Sequence, residues 1–100
     1  MGREVAHVKA GDVERMKEVT LNPVVYEWAF ERRIAAIEEF LRAGQAVKVV
    51  IRPEPRQGSV SEASQRLLDR ITARVVPDMG TEASRERDGT NWVMVLSPAD

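Results

Sequence analysis

The sequence predicts an α+β fold: a two-layer βαβαββ sandwich, with two helices on one face of a four-stranded mixed sheet. Three observations predict it. Phe30, Ile34, Ile37 and Leu41 recur at the 3.6-residue period of a helix with one buried face. Val47, Val49 and Ile51 alternate with Lys48, Val50 and Arg52, the period of a strand. Asp88-Gly89, the strongest short hairpin signal in the chain, separates two stretches of extended character near the carboxy terminus.

Residues 1–15 show no sustained period and are expected to form a tail or leader ahead of a single domain over residues 16–100. Lys17-Glu18-Val19-Thr20-Leu21 alternates as a short first strand, and Asn22-Pro23 ends it. A helix is expected over about Tyr26–Ala43, where Gly44 supplies a left-handed stop. Ala46–Arg52 is the second strand. It runs into Arg52-Pro53-Glu54-Pro55-Arg56-Gln57-Gly58, a stiff, charged loop that buries nothing.

Ser59-Val60-Ser61-Glu62 then has the S-x-x-E spacing of a capping box, with Ser61 as the alternative cap. Val60, Leu67, Leu68, Ile71 and Val75 mark the buried stripe of a second helix, which Pro77 closes. A weak strand over about Thr81–Arg87 leads through the hairpin to a last strand at Trp92–Leu96.

Length and composition bound the function. One hundred residues, 43% hydrophobic and 31% charged, build one globular core and no second. The absence of cysteine removes disulfides and thiolate metal sites and fits a cytoplasmic protein. No apolar run approaches the length that spans a bilayer, and the amino terminus has no signal-peptide core, so no membrane partner is expected.

The net charge of −1 is unevenly spread. Residues 52–75 carry five arginines against three acids, whereas residues 76–100 carry two arginines against five acids. The local excess of positive charge therefore follows the second strand. In a near-neutral protein it suits short-range contact with phosphate better than long-range steering.

No catalytic constellation is present, and the chain is expected to be no enzyme and to need no cofactor or metal. The single histidine, His7, lies in the tail without partners for a metal site or a triad. No phosphate-binding glycine loop or nucleophile elbow occurs. Glu38 and Glu39 are adjacent on a helix, so they point about 100° apart and read as a solvated face. Trp28 and Trp92 offer faces on which bases could stack, but two large aromatics in a small domain are expected in the core or at its edge.

The loop after Ile51 admits two readings, and both stay open. It is either a connection whose arginines keep it soluble, or part of a phosphate-binding surface. In the second reading Arg52 ends a strand, Arg56 follows a stiff turn, and Arg70 and Arg74 approach from the exposed side of the next helix. Lys48, on the same strand face as Arg52, completes the candidate RNA-binding set.

From Lys17 onward the chain resembles the carboxy-terminal domain of bacterial translation initiation factor three. "KEVTLNP" is similar to the family's first strand with its terminal proline. "EEFLRAGQAVKVVIR" resembles the helix end, the glycine and the lysine-centred second strand, and "GTNWVMVLSP" resembles the final strand with its leucine-x-proline close. The resemblance implies a monomeric domain that docks on the small ribosomal subunit, contacts its rRNA and keeps the large subunit from joining early. By the same resemblance Arg52, Arg56 and Arg70 match family basic positions, while Glu54 replaces a third basic position of the loop and Pro55 replaces its glycine.

Asn22, Ala35 and Thr90 stand where the family carries arginine. The family's amino-terminal domain and basic linker helix are expected to be missing. Phosphate affinity scales with the number of contacts, so these losses predict weaker RNA binding than in the family at large. Two functions follow. The first is a ribosome- and rRNA-binding module that modulates initiation or subunit association. The alternative is a divergent relative that keeps the scaffold and binds another protein, with Trp28 and the acidic carboxy-terminal third as its natural surface.

Overall fold

The computed structural model describes residues 16–58 and 60–99. The expected tail over residues 1–15, including His7, lies outside the described residues, as does Ser59. The elements run β1 (Lys17–Leu21), α1 (Glu27–Arg42), β2 (Val47–Ile51), a 3-10 turn (Pro55–Gln57), α2 (Ser61–Val75), β3 (Gly80–Asp88) and β4 (Asn91–Pro98). The sheet order is β1-β2-β4-β3, with β1 and β2 parallel and the other two pairings antiparallel. This is the expected α+β sandwich.

One side of the sheet carries Val19, Leu21, Val47, Val49, Ile51, Met94 and Leu96. Phe30, Ile34, Ile37 and Leu41 of α1 and Leu67, Leu68, Ile71 and Val75 of α2 close over it as a second layer. The helical stripes read from the sequence are thus the buried ones. On the other face Val50 is buried between Thr20 and Val93 of the flanking strands.

The end of α1 follows its glycine. Gly44 has φ 80°; its N–H donates to the Leu41 carbonyl at 3.0 Å and that of Gln45 donates to Phe40 at 3.0 Å. This pair of bonds satisfies carbonyls that the helix would otherwise leave open.

Four local expectations change. At α2 the cap residue is Val60, which makes no side-chain cap bond, rather than Ser59 or Ser61. Ser61 is already helical, and its hydroxyl accepts the indole N–H of Trp92 at 3.0 Å. A reciprocal box appears one loop earlier, between Glu54 and Gln57. β3 is longer than its sequence suggests, and a register shift between Glu82 and Ser84 explains why no clean alternation marks it.

The hairpin centres on Gly89-Thr90, since Asp88 pairs with Asn91. Gly89, at φ 65°, takes the first central position, which this kind of two-residue loop reserves for glycine. Finally, Trp92 packs at the core edge as expected, but Trp28 does not: it is 64% exposed on the outer side of α1.

Candidate nucleic-acid interface

β1 and β2 are parallel and end together, so their outgoing loops meet at one end of the sheet. The Arg52 N–H still donates to the Leu21 carbonyl at 2.8 Å, extending the ladder by one residue. Beyond it the chain turns over Pro53 into the 3-10 turn. There the Glu54 carboxylate accepts the Gln57 N–H while the Gln57 side-chain oxygen accepts the Glu54 N–H. The Gln57 amide also donates to Asn22 Oδ1 at 3.0 Å, and the same oxygen accepts the Val24 N–H at 2.8 Å.

Asn22 therefore ties the β1–α1 connection to the arginine loop. With φ fixed at Pro53 and Pro55, the loop is braced before any ligand arrives.

The five predicted residues separate into three groups. Arg52 and Arg56 are exposed, and no carboxylate among the described residues lies within ion-pair distance of either. Arg70 and Arg74 lie along the α1–α2 seam and are already engaged. Arg70 contacts both Glu27 carboxylate oxygens at 2.9 and 3.2 Å, with its guanidinium 4.0 Å from the centroid of the Phe30 ring. Arg74 forks onto Glu31 at 2.7 and 3.0 Å.

Those hydrogen bonds hold the Glu31 carboxyl below its ordinary value against the opposing effect of desolvation, and raise Arg74. Lys48 points to the opposite side of the sheet, into a hollow it shares with Met16, Glu86, Arg87, Asp88, Val93 and Val95, so Arg87 borders both this hollow and the one beside the arginine loop. Arg52 and Arg70 line separate hollows on either side of the β1–α1 connection.

Arg87 was not legible as part of the site. The hairpin pairs it with Trp92, which itself pairs with Ile51. It thereby lines a small hollow with Pro53, Gly58, Val60, Ser61, Thr90 and Trp92, next to the arginine loop. The available signal was the hairpin itself, which folds an acidic segment back so that its arginine meets the basic one.

Elsewhere on β3, Arg85 is held by Asp69 at 2.8 Å and Glu82 at 3.0 Å. Burial lowers its pKa, but the two carboxylate bonds outweigh that and leave it raised. This guanidinium ties α2 to the sheet edge. Among the described residues no cluster of metal-binding side chains occurs, and no helix is long and apolar enough to cross a membrane.

The geometry defines a class: a two-layer α+β domain that presents free guanidiniums from a braced loop at one end of its sheet. Residues 14–99 match the family model described as translation initiation factor IF-3, C-terminal domain, and the chain belongs to that family. It is 37% identical over 83 residues to translation initiation factor IF-3 of Mycobacterium leprae, covering 83% of this chain and 41% of the relative. The factor from Mycobacterium tuberculosis gives the same identity and coverage. That from Streptomyces avermitilis is 36% identical over 84 residues, covering 83% of this chain and 34% of the relative. The match thus spans about two fifths or less of the length of these relatives.

Proposed function

We propose that this domain binds the small ribosomal subunit through its rRNA, as a cytoplasmic monomer without catalytic activity, and so modulates initiation or subunit association. The observation that carries the proposal is the state of Arg52 and Arg56: in a chain of the IF-3 C-terminal family they stand on a pre-braced loop, and no carboxylate among the described residues pairs with them. Guanidiniums carried on a braced backbone without a carboxylate partner are suited to phosphate oxygens, which accept their planar fork.

Arg87 joins them from the hairpin. Arg70 and Arg74 stay paired with Glu27 and Glu31 and hold the helical layer behind the loop, and Lys48 serves RNA that reaches the other sheet face. The three contacts of this end of the sheet, Arg52, Arg56 and Arg87, make binding weak and moderately salt-sensitive.

The test is co-sedimentation of the chain with purified small and large subunits. Pelleting with the small subunit alone supports the proposal; no pelleting with either at low salt contradicts it.

A further inference from the structure

Trp28 sits in the first turn of α1 and is 64% exposed; Tyr26 and Val24, just before it in sequence, are also exposed. An exposed indole offers a flat apolar face on which a planar ring can stack. Trp28, Ala29, Arg32 and Arg33 line one shallow hollow. No carboxylate among the described residues is within ion-pair distance of Arg32 or Arg33. The acids nearest in sequence, Glu27 and Glu31, are both held by arginines of α2. The ion pairs of the seam thus neutralise the carboxylates that would repel an anion here, and leave two free guanidiniums next to an indole face.

We propose that this hollow is a second RNA contact, in which an unpaired base stacks on Trp28 while Arg32 and Arg33 hold its flanking phosphates. The inference rests on the RNA-binding reading above and adds to it a preference for single-stranded RNA, because a base inside a duplex offers no free face. Placement supports continuity with the arginine loop. α1 begins where β1 ends, and Asn22 joins that connection to Gln57, so both contacts lie at the same end of the domain. Charge selects RNA over an apolar protein segment as the occupant: two free arginines at the wall of the hollow would be buried unpaired under an apolar partner.

The test uses the whole chain and two fluorescein-labelled RNAs, an unstructured 12-nucleotide polyuridine and a fully paired hairpin, read by anisotropy. Trp28→Ala is expected to weaken polyuridine binding about tenfold or more, the scale of losing one base stack, and to leave hairpin binding unchanged. Trp28→Phe should retain most of the affinity. Because Trp28 is exposed, its replacement leaves the melting temperature in place, which separates the effect from misfolding.

Equal loss on both RNAs, or no loss on either, overturns the stacking assignment while Arg52 and Arg56 remain testable on their own. Loss of subunit co-sedimentation with polyuridine binding intact would assign the hollow to a protein, and would also overturn the proposal.

Discussion

Arg74 of α2 and Glu31 of α1 meet as a fork, guanidinium to carboxylate, at 2.7 and 3.0 Å. One turn earlier on each helix, Arg70 repeats the contact with Glu27. The i, i+4 spacing of the two arginines thus matches that of the two glutamates. These cations stitch the helical layer together, which sets them apart from Arg52 and Arg56.

The pair has a pH signature. Hydrogen bonding from Arg74 leads the causes that hold the Glu31 carboxyl below its ordinary value in the fold. A depressed folded value means that the pair's contribution is fully present above the unfolded value and is lost as pH falls through the folded one. A carbon-13 titration of Glu31 should therefore show a midpoint below the ordinary glutamate range, and Arg74→Gln should return it upward. An ordinary midpoint in the unmutated chain would show that the pair does not persist in solution. Both groups are exposed, so the effect on stability is small and screened by salt.

Two small residues report on packing in opposite directions. A Cβ on Gly80 would strike the Ser97 carbonyl oxygen across the β3–β4 pairing, so Gly80→Ala should cost about 1–3 kcal/mol in chemical denaturation. Ser64 is fully buried on α2 and its hydroxyl has no hydrogen-bond partner among the described residues, so Ser64→Ala should be neutral or stabilise by about 1 kcal/mol. Destabilisation by Ser64→Ala would reveal a partner for that hydroxyl.

Much of this fold can be read from the sequence wherever burial enforces a period. The stripes of α1 and α2 and the alternation of β2 are visible because each faces the same core. β3 was only partly visible: it is an edge strand of charged and small residues, interrupted by a bulge. Trp28 was misplaced because residue type was weighed above position. It lies two residues before Phe30, about 200° around the helix from the buried stripe, and so faces outward. The pairing of Arg70 and Arg74 joins residues 43 apart in sequence, and only the matched spacing on the two helices hinted at it.

Glu54 has two roles that substitution can separate. Its carboxylate caps the 3-10 turn and also places negative charge between Arg52 and Arg56. Glu54→Gln keeps an acceptor for the Gln57 N–H and removes the charge. Small-subunit affinity should rise about two- to fivefold, the scale of one exposed charge interaction. Glu54→Arg adds a cation but releases the cap, so its gain should be smaller than charge alone implies. Unchanged affinity in the Gln variant would remove the loop from the interface.

The most direct test of the RNA-binding claim reverses both free guanidiniums, Arg52→Glu with Arg56→Glu, and follows co-sedimentation with purified small subunits at 50 and 200 mM salt. The unmodified chain should bind weakly, with affinity falling on the order of ten- to fiftyfold between the two salts, as about three phosphate contacts require. The double variant should not pellet at either salt, while its melting temperature stays in place because exposed arginines contribute little to folding. Undiminished pelleting of a folded double variant would contradict the account and reduce the loop to a connection between β2 and α2.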